Sequence, residues 1–265
     1  MGGVFPGGFA GLEASLWLYL VAMIRPGAAF FVAPVFGTQN VPVQVRIILS
    51  LAIGIPALAA TPFELPPGGL ATIAGFLLVA GEVIAGLAIG FAVQLGFTAA
   101  MMAGEVVGNA MGLGFAQMFD PQTGGSSPAL GQFLSILGTF LFLAMNGHLA
   151  LAAIVVDSYH ALPPGQAWLG EGSLHGVVLF GGDMFAAGMT IALPVGFALI
   201  LVQVVMAMLA RSAPAMNLFS VGLPATLLAG VVLMALAAPA IGDGVARSIE
   251  HGLDFARQLA AGGGG

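Results

Sequence analysis

The sequence predicts an all-α, polytopic membrane-type protein of about six kinked helices arranged in hairpins. Three observations carry that expectation. No formally charged side chain occurs from Pro121 to Val156, from Met184 to Ala210, or from Ser212 to Gly242. An α-helix rises about 1.5 Å per residue, so roughly 20 apolar residues cross a 30 Å hydrocarbon core, and each run suffices. Hydrophobic residues make up 59% of the chain and charged residues 6%, with a mean hydropathy of +1.08, which leaves too little polar surface to solvate a water-soluble monomer. Prolines recur inside the apolar runs, where each removes a helical hydrogen bond and bends the rod.

The elements follow from punctuation. The first helix is predicted near Leu12 to Phe36, with a kink or break at Pro26 or Pro34. Glu13 precedes this run and Arg25 follows it, the reverse of a cleaved signal peptide, so it reads as a retained helix. The turn from Gly37 to Pro42 leads to a second helix, Val43 to Ala60. Thr61 to Gly69, rich in Pro and Gly, is a loop. A third, long helix runs from about Leu70 to Gly108 or beyond. After the Gly/Ser/Pro segment ending at Pro128 comes a fourth, Ala129 to about His160. Pro163-Pro164-Gly165 opens a polar loop holding Glu171 and His175. The last two helices, Gly176 to Leu209 and Met216 to Gly242, are joined by Arg211-Ser212-Ala213-Pro214. The polar tail to Gly265 reads as a short amphipathic helix with a glycine end.

Eleven acids outweigh five arginines, there is no lysine, and the net charge is −6. Without a basic patch, nucleic acid and anionic membrane surfaces are poor partners. The absence of cysteine excludes disulfides and thiolate metal sites. Arg25, Arg46 and Arg211 place the first and fifth loops on the cytoplasmic side by the positive-inside rule, although Arg247 and Arg257 blur the pattern.

Chemistry-bearing residues are few. In the third helix Gly96, Ala100, Gly104 and Gly108 recur every four residues, with Gly86 and Gly90 before them. Such a small-residue ridge lets backbones approach closely, and the alternative is simply a glycine-rich composition. Glu82 and Glu105 lie in the same apolar stretch. Each needs a partner, water or protein around it; a proton relay and an ion pair with an arginine such as Arg46 are both open, the pair being the commoner arrangement. His148 reads as a core histidine more readily than as a metal ligand, because no HExxH or carboxylate cluster accompanies it. Asp157, Ser158 and His160 punctuate a helix end without forming a triad. A P-loop needs a lysine. Enzyme activity, a cofactor and a metal are therefore not expected.

The segment Met111, Gly112, Leu113, Gly114, Phe115, Met118 and Phe119, ending at Asp120-Pro121, is too apolar for a solvated loop and too rich in glycine for a rigid rod. It either lines or stoppers a conduit, or packs permanently into a helix bundle.

Several stretches together resemble the FliR family of the flagellar export apparatus, relatives of the SctT subunit of virulence type III secretion. They are Arg25, Ala33-Pro34-Val35-Phe36-Gly37, Val41-Pro42, Arg46 and Gly81-Glu82. They continue with Gly112-Leu113-Gly114-Phe115-Ala116, Asp120-Pro121, Phe142-Leu143 and Asn146-Gly147-His148. They close with Ala192-Leu193-Pro194, Arg211-Ser212-Ala213-Pro214, Asn217 to Gly222 and Pro224. His148 with Asp157 to Pro163 looks more flagellar than virulence-type.

The resemblance implies a helical export-gate complex with FliP and FliQ homologues, working with FlhB and FlhA homologues on unfolded flagellar export substrates. It implies a place in the bacterial inner membrane at the flagellar basal body, in contact with membrane lipid. It also implies a FliP-like part over residues 1–165, with a plug loop near 108–128, and a FliQ-like hairpin and tail over 166–265. The segment matching the family's plug is Gly112 to Asp120, which favours the stopper reading. The competing reading from another class is a small-molecule or ion transporter coupled through Glu82 and Glu105, which would show inverted repeats.

Overall fold

A computed structural model describes residues 8–61, 65–67, 69–114, 129–165, 170–212 and 218–262. Among the described residues there are seven helices and no strand: α1 Gly8–Val32, α2 Val43–Ala59, α3 Ile73–Ala110, α4 Ala129–Ala144, α5 Gly147–Ala161, α6 Glu171–Ser212 and α7 Leu218–Ala260. Prolines lie inside α1 (Pro26), α2 (Pro56), α6 (Pro194) and α7 (Pro224 and Pro239). Among the described residues three helices are long and apolar enough to cross a membrane, Ile73–Ala110, His175–Ser212 and Val221–Ala260, each holding an 18-residue stretch of mean hydropathy 2.3, 2.4 and 2.2 respectively. The broken pair α4 and α5 makes a fourth if it counts as one span. The chain is thus a polytopic helical membrane protein.

Four boundaries differ from the sequence expectation, each for a local reason. α1 continues through Pro26 but ends at Val32, because the residue before Pro34 is driven out of the helical region. The expected fourth helix is two helices, broken where Asn146 adopts a left-handed conformation (φ 56°, ψ 29°). Glu171 and His175 belong to the opening of α6 instead of a loop. The tail is no separate element either: α7 runs on through Pro239 to Ala260, its charged residues on one face and Val245, Ile249, Leu253 and Ala256 buried on the other.

The fold divides into two compact units, one of Met1–Gln94, Asn146–Phe180 and Gly252–Gly265, the other of Leu95–Met145 and Gly181–His251. In the first, α1, α2 and α5 pack on one another, with Val21, Phe30, Ile89, Leu151 and Tyr159 fully buried or nearly so. Phe180 stacks on Phe255 there, with ring centroids 4.4 Å apart. In the second, Ala100, Ala103, Leu134, Phe142 and Val245 form the interior. The four-residue ridge of α3 serves both, by contacts internal to each. A Cβ at Gly86 would lie 2.3 Å from the Arg25 carbonyl and one at Gly90 2.2 Å from that of Ala29, so α3 meets α1 backbone to backbone. In the second unit a Cβ at Gly104 would lie 2.4 Å from Leu130 O on α4, and Gly96 O accepts a 2.8 Å hydrogen bond from Ser248 on α7. Ala100 is fully buried, and Gly108 faces Leu130 at ordinary contact distance.

Candidate functional site

The first unit is organised around one buried cation. The backbone approach at Gly86 and Gly90 puts Glu82, one turn earlier on the same face of α3, within reach of Arg25 on α1. Arg25 Nε and Nη2 donate to the two oxygens of Glu82 at 2.9 and 2.8 Å, a bidentate pair with both side chains fully buried. Arg25 also donates to Ser158 Oγ at 3.0 Å and to Leu162 O at 2.8 Å, and its guanidinium carbon lies 4.1 Å from the Tyr159 ring centroid.

Next to it, Pro26 has no N–H to give to Ala22 O, and Tyr159 Oη donates to that carbonyl at 3.3 Å. The partner of Glu82 is therefore Arg25 and not Arg46, whose guanidinium donates to Thr38 O instead. Arg46 sits in the exposed first turns of α2, whereas Arg25 is carried inward by α1. Both Glu82 oxygens are taken, so a proton-carrying role for this residue would first require the pair to open.

Glu105 is half-buried in the second unit, its stem against Gly131 of α4, where a Cβ would lie 3.1 Å from Glu105 Cγ. His148 opens α5, half-buried, with its Nδ1 enclosed and without a hydrogen-bond partner among the described residues.

The second unit grips the base of the predicted plug. α3 ends at Ala110, and Gly112 turns the chain at φ 83°, a left-handed conformation that a side chain would resist. The last carbonyls of a helix have no intrahelical donor. Here Gln203 Nε2 of α6 donates to Ala110 O at 2.7 Å, and Thr226 Oγ1 of α7 lies 3.2 Å from Met111 O and 3.0 Å from Leu223 O, sharing one hydroxyl proton between them. Met111 is buried with its side chain over Gly230, where a Cβ would lie 2.5 Å from Met111 Cγ. Leu113 and Gly114 begin a further helical turn, half-exposed. Phe115, Met118 and Phe119 lie outside the described residues.

Sequence reasoning set Ser158 aside as helix-end punctuation and missed Tyr159, Gln203 and Thr226. Gln203 and Thr226 did carry a signal, since each is a hydrogen-bonding side chain in an otherwise apolar span and must find a partner there. Tyr159 carried none beyond the carbonyl that Pro26 leaves open.

Comparison with known proteins then gives a context for this geometry. Residues 16–252 match the family described as bacterial export proteins, family 1. The chain is 33% identical over 226 residues to the flagellar biosynthetic protein FliR of Escherichia coli (strain K12), covering 84% of this chain and 85% of that protein. It is 33% identical over 218 residues to FliR of Pectobacterium carotovorum subsp. carotovorum, covering 82% and 83%. To FliR of Bacillus subtilis (strain 168) it is 28% identical over 219 residues, covering 82% and 84%.

Proposed function

We infer, since this chain belongs to the bacterial export proteins, family 1, that it is a core subunit of the flagellar type III protein export gate, forming part of the channel for flagellar proteins and carrying its plug. The observation behind the plug assignment is the grip on Ala110 and Met111: two side chains from α6 and α7 cap the end of α3 at the point where an apolar, glycine-rich segment leaves it. A loop so anchored can swing from a fixed base. Phe115, Met118 and Phe119 would fill the resting pore with soft apolar contacts, Gly112 and Gly114 would act as hinges, and an arriving unfolded substrate would displace the segment.

The chain's work in this reading is gating, with energy supplied elsewhere in the apparatus and no bond-making step of its own. Its partners are FliP and FliQ homologues in a hetero-oligomeric core, with FlhB and FlhA homologues alongside, in the bacterial inner membrane at the flagellar basal body. The exposed apolar surface supports an assembled state: in the most apolar windows of α6 and α7 only 28% and 17% is buried within the chain. The relatives' flagellar names favour a flagellar over a virulence system. The arginine held on Glu82 weighs against coupled small-molecule transport.

Expression with FliP and FliQ homologues, followed by purification and imaging, tests the assignment. The expected result is one stable complex with this chain inside it around a central channel. A chain that stays apart from both and transports a small solute alone would contradict it.

A further inference from the structure

Thr226 and Gly230 lie four residues apart, so they share one face of α7. Both are buried, and both meet the same residue, Met111. Thr226 Oγ1 stands 3.2 Å from Met111 O. At Gly230 a Cβ would stand 2.5 Å from Met111 Cγ, 2.7 Å from its Sδ and 2.6 Å from its Cε. The thioether arm therefore lies along the backbone of α7, in a notch that any side chain at position 230 would fill. Turning the terminal methyl alone cannot clear that space, because Cγ is the nearest atom.

α3 and α6 hold the rest of the joint. The Met111 N–H donates to Val107 O at 2.9 Å, and Gln203 of α6 donates to the preceding carbonyl, Ala110 O, at 2.7 Å. Met111 is 3% exposed, whereas Gly112, Leu113 and Gly114 are half-exposed, so it is the last buried residue before the chain turns at Gly112. Methionine suits the place: its unbranched, polarisable arm follows a shallow notch that a branched side chain would not enter. A segment that pivots at Gly112 returns to one position only if the residue before the pivot stays fixed.

We propose that the notch on α7 is the seat of the plug, with Met111 as its anchor and Gly230, Thr226 and Gln203 as the positioning residues that let an intact segment close the pore. The seat stands on packing alone; its consequence for closure rests on the export-gate reading. Filling the notch would free the base of the plug, and a segment with a loose base would no longer stopper the channel although its own sequence is unchanged.

The test uses the assembled complex of the full chain with FliP and FliQ homologues and reads two quantities. The first is oxidation of Met111 by dilute hydrogen peroxide, which passes one oxygen atom to the thioether and leaves water, followed by peptide mass spectrometry. Gly230→Ala should speed it roughly tenfold or more, since overpacking drives the arm out of the notch. Gln203→Leu, which frees Ala110 O, should speed it about fivefold. Gly242→Ala, on the same helix with nothing within 4 Å of a Cβ, should leave it unchanged.

The second quantity is ion conductance in planar bilayers. The Gly230→Ala complex should leak with the plug segment still present, and adding Met111→Ala should quiet it, because the new methyl takes the space that Cγ vacates. Should Gly230→Ala fail to assemble, Gln203→Leu carries both readouts. Met111 as well protected in Gly230→Ala as in the parent would overturn the seat. An assembled Gly230→Ala complex that exposes Met111 yet stays silent, while deletion of Gly112 to Asp120 leaks, would refute the anchor and leave the gate reading standing. Silence from both assembled forms would refute the gate reading and the anchor with it.

Discussion

Replacing Glu82 with alanine is expected to destabilise the folded chain by roughly 3 to 5 kcal/mol, the cost of leaving a buried guanidinium without its carboxylate. Arg25 would keep Ser158 Oγ, Leu162 O and the face of Tyr159, but none of these carries a compensating negative charge. The midpoint of thermal unfolding in mild detergent measures the loss, with protease resistance as a second readout. Arg25→Met combined with Glu82→Leu should recover most of the lost stability, because two apolar side chains remove both charges at once. A single Glu82→Ala variant as stable as the parent would show that the buried pair does not hold the first unit together.

The second large effect is expected at Gly54. Any Cβ there would lie 1.8 Å from Ala22 O, deep inside van der Waals contact with backbone. That oxygen is the one Pro26 leaves open and Tyr159 satisfies. Gly54→Val must therefore push α2 off α1 and disturb the acceptor of the Tyr159 hydroxyl together. Overpacking of this kind costs about 3 kcal/mol or more when backbone cannot yield. Gly196→Val is the matched control, since nothing stands within 4 Å of a Cβ at Gly196. Comparable melting of the two variants would mean that the α1–α2 approach is looser than described.

How much of this was legible in the sequence depended on the kind of signal. Two boundaries were read closely, α2 starting after Pro42 and α3 stopping before Gly112, whereas α1 was carried past Pro34 to Phe36 and ends at Val32. The break between α4 and α5 was not read, because apolarity runs unbroken across it and only the Asn146-Gly147 pair marked it. The charged stretch after Gly242 suggested a new element, yet its buried face continues that of α7. At the buried pair, Glu82, Gly86 and Gly90 fall on one face by their spacing alone. Which helix meets that face is a tertiary fact, and a single sequence offers Arg25 and Arg46 equally. Polar residues inside apolar spans, Gln203 and Thr226, were the recoverable clue that went unused.

Conductance tests the central claim most directly. The assembled gate, reconstituted into planar bilayers with and without Gly112 to Asp120, should be nearly silent when intact and leak ions steadily once the segment is deleted. Equal, low conductance from both forms, with the complex still assembled, would contradict the plug.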